Sequence, residues 1–207
     1  MSAADAVNAR TFTQIINLDR SPDRLAGAAT DFAAAGLRWT RLAAVDGGAL
    51  DLKRDPRVVA GFDLDRWVRR HHRNPIATEI GCFLSHLGAL RAFLDGPTPF
   101  GFILEDDARL EPHAAAALDQ ALDDHGAWDI LRLHARHPGP LVPRRRYPAA
   151  TLASFITKPS GATAYVVSRA AAERMLRHMA RADRPYDYMY DDGRRMGLRV
   201  RILDPAP

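Results

Sequence analysis

Apolar and polar positions along this chain switch repeatedly between a period of two and a period near 3.6, and these switches divide it into strands and helices. Thr13 to Leu18 (Thr-Gln-Ile-Ile-Asn-Leu) is a short apolar run of strand character. Ser21-Pro22-Asp23 then offers an N-cap, a proline at the first helical position and an acid in the first turn. Leu25, Ala29 and Phe32 recur at helical spacing up to about Ala35, and Gly36 suits the helix stop. Leu37 to Val45 reads as a second strand that ends in Asp46-Gly47-Gly48. Residues 49–74 are polar and charged, with no sustained period, and are expected to be irregular or partly helical.

The strongest helical signal runs from Thr78 to Leu94. There Ile80, Phe83, Leu84, Leu87, Leu90 and Leu94 define a buried stripe, with Glu79, Cys82 and His86 on a neighbouring face. The apolar strand Phe100 to Leu104 comes next, followed by an alanine-rich helix over about Pro112 to Asp123 and a strand at Asp129 to Leu133. His137 to Pro148 is rich in Pro and Arg and is expected to be a mobile loop. Ala162 to Val167 is strand-like, Ser168 caps a helix to about Arg181, and Leu198 to Leu203 is a candidate last strand. Strands alternating with helices predict an α/β fold with a mainly parallel sheet, helices on both faces and ligands outside the strand carboxyl ends. No internal repeat is present, and 207 residues suit one domain, with residues 1–10 expected to be flexible.

Composition narrows this picture without redirecting it. Hydrophobic residues at 47% and charged residues at 26% are ordinary for a soluble globular chain. No apolar run approaches the roughly 20 residues that span a bilayer. Residues 1–10 lack the apolar core of a secretory peptide, and the single cysteine, Cys82, excludes an intramolecular disulfide and a multi-cysteine zinc site. A cytoplasmic location is therefore expected. The net charge of +4 is modest, but arginines cluster at Arg69-Arg70-His71-His72-Arg73 and at Arg144-Arg145-Arg146. Each cluster is a solvated face or a contact for anionic lipid or phosphorylated ligands. Interspersed acids, and the absence of aromatic and basic interleaving, argue against a nucleic-acid partner.

The candidate chemistry concentrates where the strand Phe100 to Leu104 runs into Glu105-Asp106-Asp107. Like charges repel, so three acids at a buried strand end need a cation or hydrogen-bond donors. Alternation puts Glu105 and Asp107 on one side and Asp106 on the other. Two converging carboxylates suit Mg²⁺ or Mn²⁺; the other reading is an acidic turn capping the next helix. Arg20 and Arg24 flank the first helix terminus, where a phosphate would be welcome. Asp46 ends the second strand, either as an acceptor for ribose or base or as a turn-forming Asp-Gly. Glu79 and His86 are a functional pair or structural. In Tyr186-Asp187-Tyr188-Met189-Tyr190-Asp191-Asp192 tyrosines alternate with acids, which suits sugar stacking or an ordinary aromatic turn. No glycine-rich phosphate loop, nucleophile elbow or His-Glu-x-x-His helix occurs.

These segments together resemble glycosyltransferase family 25, in family order. Ile15-Ile-Asn-Leu-Asp-Arg-Ser-Pro-Asp-Arg24 resembles its opening segment, and Arg41-Leu-Ala-Ala-Val-Asp-Gly47 its second block. Glu79-Ile-Gly-Cys-Phe-Leu-Ser-His86 and Ile103-Leu-Glu-Asp-Asp107 resemble its two most distinctive motifs. Thr163 to Ala172 and Pro185-Tyr-Asp187 resemble its later blocks. The resemblance implies a GT-A-like nucleotide-binding fold and an inverting transfer of a hexose, typically galactose from UDP-galactose, to a lipooligosaccharide or other surface glycan at the inner membrane face. It implies Mn²⁺ or Mg²⁺ at Glu105 and Asp107, and a donor site of Asn17, Arg20, Arg24, Asp46, Ser85, His86 and Asp106. Asp187 is the first candidate base, with Glu79 and Asp191 as alternatives. The chain ends at Pro207, shorter than many relatives, so a reduced or partner-completed acceptor site is expected. The alternative is a catalytically degenerate relative that binds carbohydrate or protein.

Overall fold

A computed structural model describes residues 1–207 and shows three layers, with one mixed eight-stranded sheet between two sets of helices. The strands are β1 (Thr11–Asn17), β2 (Thr40–Ala43), β3 (Phe100–Glu105), β4 (Ile130–Arg132), β5 (Leu141–Arg146), β6 (Thr151–Phe155), β7 (Ala164–Ser168) and β8 (Val200–Asp204). Their spatial order is β2-β1-β3-β7-β4-β8-β6-β5. The pairs β1–β2, β1–β3 and β4–β8 are parallel, whereas β3–β7, β4–β7, β6–β8 and β5–β6 are antiparallel. The α/β class holds, but the expectation of a mainly parallel sheet does not. β7 enters between β3 and β4 in the reverse direction, so its start, Ala164, lies beside Leu104 at the end of β3.

Alternation along the strands builds both cores. Ile103, Tyr165 and Val167 face α4 (Leu64–His71), α5 (Ala77–Asp95), α7 (Arg169–His178) and α8 (Tyr186–Tyr190). Phe102, Leu104 and Val166 face α1 (Ala3–Arg10), α2 (Pro22–Ala34) and α6 (Ala114–Asp123). α5 is wrapped more fully than a single stripe predicts, since Ser85, His86, Ala89 and Phe93 are buried beside the expected Ile80, Phe83, Leu84, Leu87 and Leu90. Side chains on that many faces belong to a helix enclosed by protein rather than one lying on a surface.

Two further expectations are corrected, and the partly helical alternative for 49–74 is met. Residues 3–10 are helical, because Ser2 and Asp5 form a reciprocal capping box that satisfies free backbone N–H groups. Within 137–148, Leu141–Arg146 is an edge strand paired to β6, with a bulge between Pro143 and Arg145. Within 49–74, α3 (Pro56–Gly61) and α4 form, the latter anchored by fully buried Trp67. The expected strand, helix and strand over 162–203 appear as β7, α7 and β8.

Candidate active site

The carboxyl ends of β1, β2, β3 and β4 share one sheet edge with the start of β7, and this edge gathers most of the predicted residues. α5 presses against the exit from β2 so closely that its backbone touches the loop. A Cβ on Gly47 would fall 2.3 Å from the Ala77 carbonyl oxygen, and one on Gly81 would fall 2.7 Å from Val45 O and Gly47 N. Ser85 fastens this contact, since its hydroxyl accepts from Val45 N–H at 2.8 Å and donates to Gly81 O at 2.7 Å.

Strand alternation separates Glu105 from Asp106 as expected, whereas Asp107 lies past the end of β3 and shares Arg24 with Asp106. Asp106 is buried towards α2, where it accepts from Asn17 Nδ2 at 2.7 Å and pairs with Arg24 at 2.5 Å. Asn17 is itself buried and spent on internal bonds, donating to Ser21 O and accepting from Arg41 Nε. Arg24 also reaches Asp107 at 3.3 Å. Glu105 turns the other way and meets α5. A carboxylate can only accept, so the His86 Nε2 proton is given to Glu105 Oε1 at 3.1 Å. The other ring nitrogen of His86 lies 3.2 Å from the Tyr165 hydroxyl, which in turn is 2.7 Å from the Tyr186 hydroxyl. The His86 ring also stacks on Tyr186, with centroids 4.2 Å apart. His86 is thus a buried support for Glu105.

Electrostatics separates the two acids, with Glu105 compensated by its neighbours and Asp107 left under-compensated. Burial pushes Glu105 up, but the His86 hydrogen bond and charge, Cys82 and Arg24 outweigh it and hold the carboxyl below its ordinary value. Asp107 goes the opposite way, raised by burial and then by Glu105. Both carboxylates offer hard oxygen atoms, the donor type that Mg²⁺ or Mn²⁺ takes. Cys82, His86 and Glu105 also bring ligand atoms within 4.8 Å of one another, a group without Asp107. Desolvation in its concave wall and then the Glu105 charge push the Cys82 thiol far above its usual range, so it is a poor ligand for a hard ion.

Two cavities meet along Thr78, Cys82 and Glu105. The smaller, about 170 Å³, is lined by Arg20, Arg24, Val45, Ser85, His86 and Asp106. At its rim Asp46 pairs with Arg20 and caps the turn at Gly48. The larger, about 620 Å³, is lined by Glu79, Arg73, Arg136, Thr163, Asp187 and Tyr188. Asp187 has no cation partner there and accepts only backbone N–H groups, from Gly161 at 3.1 Å and Tyr188 at 3.0 Å. Glu79 is forked by Arg73 at 2.5 and 2.8 Å, a bond that lowers its carboxyl. Asp191 is not in either cavity wall; it is buried against Arg132. Tyr186 and Tyr190 are core residues, and only Tyr188 is free to meet a ligand.

Arg132 and Tyr165 escaped the sequence reading. The signal for Arg132 was available, a charged residue closing the apolar run Ile130-Leu131, but nothing in the sequence ties it to Asp191. No helix is long and apolar enough to cross a membrane.

A family model described as Glycosyltransferase family 25 (LPS biosynthesis protein) matches residues 11–190. The chain belongs to this family. A Glycosyltransferase 25 family member from Aedes aegypti is 33% identical over 121 residues, 56% of this chain and 20% of the relative. Those from Drosophila pseudoobscura pseudoobscura and Drosophila melanogaster are 34% and 35% identical over 111 and 115 residues, each 52% of this chain and 18% of the relative. The chain thus spans about a fifth of the length of these curated relatives.

Proposed function

We propose that this chain is an inverting glycosyltransferase that moves a hexose, galactose by family resemblance, from a UDP-sugar to a surface glycan acceptor such as lipooligosaccharide. The observation that carries this reading is the position of Glu105. It stands where an arginine-flanked cavity of about 170 Å³ meets one of about 620 Å³ that holds a cation-free Asp187.

In this reading the smaller cavity receives the donor, and Arg20 and Arg24 face its diphosphate. Asp46 and the Ser85-braced loop form the nucleotide side. Glu105 and Asp107 would hold Mn²⁺ or Mg²⁺, which when bound supplies charge neutralisation for the departing diphosphate. The acceptor enters the larger cavity and gives its hydroxyl proton to Asp187. Its oxygen bonds to the anomeric carbon from the face opposite UDP, and the broken bond's electron pair leaves with the diphosphate oxygen. Glu79, neutralised by Arg73, serves as wall rather than base. Asp191, locked to Arg132, supports the same wall from behind.

The test pairs binding with turnover. UDP and Mn²⁺ together should raise the melting temperature of the native chain, and UDP-sugars screened with Mn²⁺ should reveal one that is consumed. Asp107 is half exposed, so Asp107→Ala should keep the parent's unliganded melting temperature while losing the ligand-induced rise and the transfer. Full residual activity in that variant would remove the central assignment.

A further inference from the structure

A third cavity, about 530 Å³, opens between β5, β6, β8 and the short helix α9 (Gly193–Met196) and shares no lining residue with the other two. Its chemistry is cationic. Arg144, Lys158, Arg194, Arg195 and Arg201 all line it, against two acids, Asp191 and Asp192. Both acids are already engaged. Asp191 is bound to Arg132, and Asp192 is buried among Lys158 at 2.7 Å, Arg184 at 2.6 Å and His178 at 3.4 Å. The carboxylate of Asp192 also lies 3.6 Å from Arg195. Arg144, Arg194 and Arg201 are left with no carboxylate partner.

The strand geometry selects these arginines from the basic run. The bulge between Pro143 and Arg145 re-aims β5, so that Arg145 turns to Asp124 at 3.0 Å while Arg144 reaches into the cavity and donates to Ser154 Oγ at 2.8 Å. Arg201 donates only to the neighbouring Val200 carbonyl. Burial, then the charges of Arg144 and Arg199, lower the basicity of Arg201 against the opposing pull of Asp129. Unpaired guanidinium groups around a concave site are the recognition chemistry of phosphate, because each planar fork matches two phosphate oxygens.

We propose that this cavity is a binding site for a phosphoryl group, held by Arg144, Arg201 and Arg194. The site stands on its own geometry; that its ligand is carried by the acceptor rests on the transferase reading. Support for an acceptor-borne phosphate comes from the shared wall. Segment 157–159 lines the basic cavity, and Gly161 just beyond it donates its N–H to Asp187 in the larger cavity.

The test is titration calorimetry of the full chain with glucose 6-phosphate, alongside sedimentation with phosphatidylcholine vesicles with and without phosphatidylglycerol. Arg144→Gln/Arg201→Gln should weaken phosphate binding about tenfold or more, the loss of at least one charge-assisted hydrogen bond, whereas Arg24→Gln should leave it unchanged. Binding of the sugar phosphate assigns a glycan-borne phosphate, and arginine-dependent retention on anionic vesicles alone assigns a lipid headgroup. Should the double variant fail to fold, the exposed Arg194→Gln is read in its place. No binding to either probe, or binding lost with Arg24 but not with the cavity arginines, overturns the proposal. None of these readouts needs donor or turnover, so failure here is separable from failure of UDP and Mn²⁺ to stabilise the chain.

Discussion

Replacing His86 with phenylalanine isolates one support of Glu105. A phenyl ring preserves the stack on Tyr186, now 4.2 Å between centroids, and removes both ring nitrogens. Tyr165 loses one partner but keeps the Tyr186 hydroxyl at 2.7 Å. Glu105 loses its 3.1 Å donor, with its side chain 30% exposed. A hydrogen bond to a charged group is worth about 1.5–3 kcal/mol, and partial exposure moves the expected loss to the lower half of that range. On the proposed role of Glu105 as a metal ligand, losing the partner that orients it should also lower metal affinity by about 10- to 100-fold, roughly 1.4–2.7 kcal/mol. Titration of Mn²⁺ by electron paramagnetic resonance, with saturating UDP, reads this directly. The pH dependence adds a second check. Glu105 is held below its ordinary value, so its contribution to stability is complete above that value and lost as pH falls through the lower folded value. The stability gap between parent and variant should therefore be widest near neutral pH and close on the acid side. Mn²⁺ affinity within twofold of the parent would refute the argument and reduce His86 to packing.

Two further substitutions probe the walls. Gly81→Ala places a Cβ against the Val45 and Gly47 backbone at 2.7 Å, and should cost about 1–3 kcal/mol in urea unfolding while displacing the loop beneath the smaller cavity. Arg132→Met strands a buried carboxylate and should cost about 3–5 kcal/mol, whereas Arg132→Met/Asp191→Leu should recover most of that loss. Burial lifts Asp191 up to about 6 against the pull of Arg132, so the folded chain takes up a proton here more readily than the unfolded chain. This contribution is destabilising above about pH 6 and relieved as pH falls towards 4, a slope that stability measurements on the double variant should lack.

What the chain order made legible follows from periodicity. β1, α2, α5, β3, β7 and α7 each carry an apolar pattern long enough to declare its type, and Glu105 and Asp106 turn to opposite faces as alternation requires. β5 was hidden because it is an edge strand. Pro143 and three arginines are what an unpaired edge tolerates, and they read as a loop. α1 was hidden because its stability comes from a two-residue cap and not from an apolar stripe. The tyrosines of 186–190 suited either a sugar platform or an aromatic turn, and Tyr186 and Tyr190 sit at helical spacing and fall together into the core. His86 and Cys82 share a face of α5 by simple counting, but their meeting with Glu105 is a tertiary fact with no local signature.

The direction of β7 was the least legible feature and has the largest consequence for the site. A strand buried on both faces has the same composition whichever way it runs. Had β7 been parallel to β3, its carboxyl end would have stood beside Glu105, and the segment leading into it would have lain at the far edge of the sheet. Running antiparallel, it brings residues 161–163 to Glu105 instead, with Glu105 N–H donating to Thr163 O at 2.8 Å. Gly161 on that segment orients Asp187, and Arg132 grips the Ser160 and Gly161 carbonyls from the neighbouring strand. The larger cavity is therefore a product of the strand reversal. A parallel arrangement of the same elements could supply the arginine-flanked cavity but not the carboxylate facing it.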